Sequence, residues 1–122
     1  MKRILVVDDD PRVLEQTVGT LRKAGYQVRG CANEDEAKAI VAEFAPEVLL
    51  TDVCLPRGDG LSLASDVRKG LPKTKIVLTS GTLVPLVVNF ARLGGYEILQ
   101  KPIEPKQLLD IVTTSKSARS GR

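Results

Sequence analysis

Residues 4–11 read ILVVDDDP: four apolar residues run without a polar break into three aspartates and a proline. An apolar run with no alternation is a strand covered on both faces, as in a parallel sheet flanked by helices. Carboxylates in a row at the end of such a strand repel one another, so something must offset their charge. Asp10 has an explanation of its own. It stands just before Pro11, which fits the first position of a helix, so Asp10 is placed to cap that helix. Asp8 and Asp9 need another.

The same alternation of apolar run and helical stripe continues along the chain. Short β-branched runs at residues 4–7, 27–29, 48–51, 76–79 and 97–99 predict strands. Between the first two, Val13, Leu14, Thr17, Val18, Leu21 and Ala24 recur at helical spacing, and Gly25 closes the segment. The second helix opens at Asn33 with Glu36 as a capping-box variant and stops before Pro46. A third starts near residues 58–60, and a fifth runs from Pro105 to about Thr113. The fourth, over residues 83–93, is apolar around nearly its whole circumference, which leaves Val84 and Val88 over once an inward stripe is assigned. They are expected either to form a partner patch or to be covered by neighbouring helices.

Strand and helix in five repeats predict an α/β domain, one parallel sheet with helices on both faces. Right-handed crossovers favour the flavodoxin-like (βα)5 three-layer sandwich with strand order 2-1-3-4-5. The chain has 122 residues, enough for one domain, expected over residues 1–114. Residues 115–122 read as a basic flexible tail or the start of a linker.

Composition removes several classes. With 43% hydrophobic and 27% charged residues but 3% aromatic ones, the core is aliphatic and base-stacking platforms are excluded. The net charge of +3 matches Lys116, Arg119 and Arg122, so the body of the domain is neutral and has no basic groove. Cys31 and Cys54 are expected as reduced thiols. No apolar run is long enough to cross a membrane and no signal-peptide pattern opens the chain, so the expected location is the cytoplasm. The chain has no histidine, which removes the commonest general base and any phosphohistidine step of its own.

In this fold ligands bind at the carboxyl ends of the strands, near the point where strand order reverses. The residues there are Asp8, Asp9, Asp52, Thr79 or Ser80, and Lys101 with Pro102. Singly, each is an ordinary turn residue or cap. Together they make an excess of carboxylates over one ammonium, a charge that a hard divalent cation would relieve. Magnesium suits a few carboxylates plus a phosphate better than calcium does. Asp52, a single acid ending a buried strand, is the best nucleophile toward phosphorus.

These motifs, VVDDD, LLTDVCLPRGDG, VLTSG and LQKP in that order, resemble the receiver domain of two-component response regulators from residue 2 to about residue 114. The resemblance implies that Asp52 accepts a phosphoryl group from the phosphohistidine of a sensor kinase or phosphotransfer protein. Magnesium would be held by Asp8, Asp9, Asp52 and the backbone carbonyl of Cys54. Lys101 would pair with the phosphoryl oxygens, and a hydroxyl ending the fourth strand would bond the phosphate. Ser80 is chosen over Thr79 because it precedes the small Gly81 and keeps the family's usual distance from Asp52. That choice leaves one residue fewer than usual before Lys101, so the fourth helix or its flanks should be shortened or displaced.

The resemblance also implies a cis bond between Lys101 and Pro102, and a switch face around the fourth helix, fifth strand and fifth helix that a partner or a second copy would occupy. Nucleic acid would be bound only through an output domain outside this chain. Where the family commonly has an aromatic residue three before the lysine, this chain has Ile98, with Tyr96 the nearest candidate to replace it. The expected activity is that of a phosphoacceptor with slow self-dephosphorylation, not an enzyme. Two rivals stand beside it. A phosphohydrolase with an aspartyl nucleophile commonly has an acid where this chain has Cys54, and a receiver-like module that no longer takes phosphate would not need the full set of site residues.

Overall fold

The computed structural model describes residues 2–56 and 58–114, and the expected tail at 115–122 lies outside them. The chain order is β1 (Arg3–Val7), α1 (Pro11–Lys23), β2 (Gln27–Cys31), α2 (Glu34–Phe44) and β3 (Val48–Asp52). A short hairpin follows, β4 (Cys54–Leu55) and β5 (Gly58–Asp59), then α3 (Gly60–Gly70) and β6 (Lys75–Ser80). The described residues end with α4 (Pro85–Gly94), β7 (Glu97–Gln100) and α5 (Pro105–Thr113). The main sheet is parallel in the order β2-β1-β3-β6-β7, which is the expected 2-1-3-4-5 once the hairpin strands are set aside.

The unbroken apolar runs are explained by the two-sided core. Successive side chains of a strand point to opposite faces. Ile4, Val6, Val48, Leu50 and Val77 pack with Leu21 of α1 and Leu108 and Val112 of α5. Leu5, Val7, Leu49, Ile76 and Leu78 pack on the other face with Ala37, Leu63, Val67, Val87 and Ala91. Truncating a fully buried residue such as Leu49 to alanine would cost about 2–5 kcal/mol.

Local signals set the helix ends. Asp10 accepts the amide N–H groups of Arg12 and Val13, so it caps α1 as its position before Pro11 suggests. Gly25 takes φ +99° to leave that helix. Asn33 caps α2 through the Glu36 N–H, while the Glu36 carboxylate reaches Ala32 N–H, one residue before the cap.

Two features depart from expectation. A β4–β5 hairpin lies between β3 and α3, which itself starts at Gly60 behind its Asp59 cap, within the expected 58–60. Helix α4 begins at Pro85, two positions later than residue 83, because proline lacks the N–H that a helix interior needs and suits its first turn. Leu83 and Val84 consequently belong to the loop before it. Val84 and Val88 are 41% and 37% exposed, and Leu86 and Leu93 are more so, at 75% and 85%. Neighbouring helices leave these side chains exposed.

Candidate functional site

The carboxyl ends of β1, β3, β6 and β7 meet at one edge of the sheet, with β1 and β3 flanking the point where strand order reverses. Asp8, directly after β1, and Asp52, the last residue of β3, are 4% and 7% exposed, whereas Asp9 is open to solvent. Carboxylate oxygens of Asp8, Asp9 and Asp52 lie within 4.8 Å of one another. This is the cluster that the sequence motifs bring forward.

Lys101 enters from the end of β7. Its Nζ lies 2.8 Å from Asp8 Oδ2 and 3.0 Å from Asp52 Oδ2. Partial burial alone would lower the lysine pKa, but the hydrogen bonds to Asp8 and Asp52 outweigh it and hold the ammonium above its usual value. The lysine backbone is fixed as well: its N–H donates to Ser80 O at 2.8 Å, and the Lys101–Pro102 bond is cis, as the motif implies.

The Asp8 and Asp52 carboxylates are also anchored by the main chain. Asp8 Oδ1 accepts Asp10 N–H at 2.9 Å, and Asp52 Oδ1 accepts Cys54 N–H at 3.2 Å. Lone pairs committed to amide donors limit how each carboxylate can rotate. Cys54 therefore stands beside the phosphoacceptor candidate through its amide, and its side chain is exposed. Cys31, at the end of β2, is buried. Desolvation, with the nearby Glu36 charge, pushes its thiol up to about 11, so it stays protonated and inert at neutral pH.

Ser80 and Thr79 are both buried at the end of β6. Ser80 Oγ donates to Thr82 O at 2.7 Å and accepts Thr82 N–H at 3.2 Å, which ties the hydroxyl to its own turn. Thr79 lies opposite Asp52 in the sheet register, and its carbonyl accepts Val53 N–H. Tyr96, the nearest aromatic to Ile98, lies outside β7. It precedes β7 at the amino end of the sheet, roughly 15 Å of extended chain from Lys101. Its ring packs on Phe90 and under the Arg68 guanidinium, while Ile98 itself joins the core on the α2–α4 side.

Two positioning features escape the motif reading. A Cβ on Gly60 would overlap the Asp52 carbonyl oxygen, so only glycine lets α3 start against the end of β3. The glycine stands in the quoted RGDG stretch, but its close approach to β3 has no local pattern. Glu34 is the second, a buried carboxylate that accepts the N–H of Asp59 across the fold.

Three hard oxygen donors with partly uncompensated charge fit a magnesium ion, which takes one or two carboxylates and keeps waters for a phosphate. Among the described residues, no helix is long and apolar enough to cross a membrane.

The model of the response regulator receiver domain matches residues 4–113. The chain is similar to the phosphoglycerate transport system transcriptional regulatory protein PgtA of Salmonella typhimurium, with 36% identity over 110 residues. That match covers 89% of this chain and 26% of that protein. It is also similar to the chemotaxis protein CheY of Thermotoga maritima, with 28% identity over 89% of this chain and 92% of the relative. A CheY-like receiver domain structure from Methanospirillum hungatei JF-1 has a TM-score of 0.88 and 30% identity, covering 93% of this chain and 91% of that one. The chain spans about a quarter of the length of the first curated relatives it matches. A sheet of this order, a carboxylate cluster at its switch point and a match along nearly all the described residues lead to one family: the chain belongs to the receiver domains of two-component response regulators, which accept a phosphoryl group rather than act as classical enzymes.

Proposed function

We propose that Asp52 is the phosphoacceptor of this receiver, and that Asp8, Asp9, Asp52 and the Cys54 carbonyl hold the magnesium ion the reaction uses. The observation that carries this reading is the placement of Asp52: a carboxylate ending a buried central strand, within 4.8 Å of Asp8 and Asp9 oxygens and paired with Lys101. An Asp52 carboxylate oxygen attacks phosphorus, a P–O bond forms as the donor's P–N bond breaks, and the histidine nitrogen leaves to take a proton. Magnesium, when bound, neutralises charge on the phosphoryl oxygens. Lys101 is free to turn from the carboxylates to those oxygens, and Ser80 Oγ to exchange its Thr82 contacts for a bond to the phosphate. Slow attack of water on the acyl phosphate then returns the carboxylate and inorganic phosphate.

The donor in this reading is the phosphohistidine of a sensor histidine kinase or a phosphotransfer protein, as the receiver family suggests. A groove of about 1150 Å³ between α1 and α5, lined by Val13, Thr17, Ile103 and Leu108 and bordered by Lys101, gives such a protein room beside the site. This chemistry belongs in the cytoplasm. Incubation with acetyl phosphate and magnesium, followed by borohydride trapping and peptide mass mapping, should label Asp52. Asp52→Asn should take no label, and label on another residue would overturn the assignment.

The output surface in this reading is the face of α4, β7 and α5. Leu86 and Leu93, seven residues apart, share the outward side of α4, while Val84 and Val88, four apart, share a flank of it, and all four are exposed apolar side chains left outside the core. A second copy of the chain is the occupant proposed for this face. Sedimentation should show a dimer on addition of magnesium and beryllofluoride, lost in Leu86→Glu; a monomer in both would refute self-association.

A further inference from the structure

We propose that Glu34, braced by Lys38, is a positioning residue that sets the magnesium affinity of the site through the β4–β5 hairpin. The inference rests on the reading that Asp8, Asp9, Asp52 and the Cys54 carbonyl bind magnesium.

Glu34 occupies the first turn of α2, where a glutamate normally extends into water. Here it is 6% exposed. Its two oxygens have separate partners. Oε1 accepts the N–H of Asp59 at 3.1 Å, and Oε2 faces Lys38 Nζ at 3.2 Å. Lys38, one helical turn on, also reaches Asp66 Oδ2 at 3.7 Å. A buried carboxylate carries a desolvation cost, and a surface pair with an exposed lysine returns little of it. What the burial achieves is a fixed acceptor for one backbone amide in a two-residue strand.

That amide is next to the metal site in the hairpin register. Asp59 lies opposite Cys54, and Leu55 opposite Gly58. Further ties hold the hairpin to β3 and α3: Cys54 N–H donates to Asp52 Oδ1 at 3.2 Å, Gly60 N–H donates to Val53 O at 2.8 Å, and Asp59 Oδ1 accepts Ser62 N–H at 2.6 Å. Glu34 supplies a tie to α2, across the sheet edge on which the aspartates sit. Removing it leaves the fold and the other anchors in place but loosens β5, and with it the support that β5 gives to the paired strand carrying the Cys54 carbonyl.

Magnesium is sensitive to such freedom because it demands near-octahedral geometry and short oxygen distances. Residues that orient metal ligands from behind typically change affinity by about 10–100-fold when removed. Through-space charge would also link Glu34 to a nearby cation, and the two mechanisms give different results in two variants. Glu34→Gln keeps a carbonyl oxygen for the Asp59 amide but loses the charge. Lys38→Met keeps the Glu34 charge but releases the side chain from its brace.

The test is a magnesium titration of the full chain, labelled with 15N and followed by the amide shifts of Cys54 and Asp59, with no phosphodonor present. Glu34→Ala should weaken magnesium binding about 10-fold, while Glu34→Gln and Lys38→Met, which each keep an acceptor for the Asp59 amide but lose the brace, should each bind a few-fold more weakly than the wild type. Equal affinity in Glu34→Ala and wild type would overturn the proposal. So would a Glu34→Gln as weak as Glu34→Ala combined with tighter binding in Lys38→Met, the pattern of plain charge. A wild type that binds no magnesium would instead defeat the metal assignment on which the proposal rests.

Discussion

Asp9 and Asp10 are chemically identical neighbours with different surroundings. Asp10 spends its carboxylate on the first amides of α1, and Asp9 leaves its oxygens close to those of Asp8 and Asp52. Asp9→Ala should therefore abolish magnesium-dependent labelling by acetyl phosphate while leaving the fold intact. Asp10→Ala should retain labelling and lose about 1 kcal/mol in urea denaturation, the usual cost of an N-cap. A stability loss of that size in Asp9→Ala, with labelling preserved, would reverse the two roles. The placement of both residues was legible in the sequence because each depends on a local feature, a proline at the next position or the end of an apolar run. Ser80 shows the limit: spacing and the small Gly81 favour it over Thr79, but its hydrogen bonds to Thr82 are a matter of turn geometry. Glu34 lies beyond that limit, since its partner amide is distant in sequence and no periodicity links the two.

Helix termini show how the elements are held on the sheet. The last carbonyls of α5 meet two lysines, with Lys2 Nζ on Val112 O at 2.7 Å and Lys75 Nζ on Ile111 O at 2.6 Å. The Arg3 guanidinium donates to Phe44 O and Ala45 O at the end of α2. Cations at helix C-termini satisfy orphan carbonyls and complement the dipole. The cost is visible at Lys75, where burial lowers the pKa of the ammonium. Ala45 ends α2 with φ +47°, a left-handed conformation that Cβ disfavours, because the next residue is Pro46 and the helix must stop. Ala45→Gly should then raise stability by about 1 kcal/mol in thermal or urea unfolding, whereas at an ordinary helical φ the same change would lower it by a similar amount. Strands and helices that repeat over several residues were legible because periodicity reports burial. The β4–β5 hairpin was not, since two-residue strands carry no period. The start of α4 was misjudged by two positions, because Leu83 and Val84 continue its apolar pattern without belonging to the helix.

For the whole molecule, the site concentrates negative charge at one end of a body that is neutral overall, and stability must depend on what offsets it. Without metal, Lys101 is the offset: its ammonium bridges two carboxylates that are almost fully buried. Because its folded pKa is raised, the stabilisation it gives is fully present below the unfolded value near 10.5 and is lost as pH rises through the folded value. Replacing it with methionine leaves Asp8 and Asp52 unpaired at neutral pH, which should cost about 2 kcal/mol, less than a fully buried pair because the lysine is partly exposed. Magnesium acts on the same charge. A ligand that binds only the folded state stabilises it by about 2.7 kcal/mol at a hundredfold excess over Kd. In the wild type the ion competes with Lys101 for the Asp8 and Asp52 oxygens, and in Lys101→Met it does not. Thermal unfolding should accordingly show a lower Tm for Lys101→Met than for the wild type in the absence of magnesium. It should also show a larger rise in Tm for the variant at the same magnesium concentration. Equal rises would mean that the lysine and the metal do not share the carboxylates. The site would then have to carry a different charge balance from the one its geometry implies.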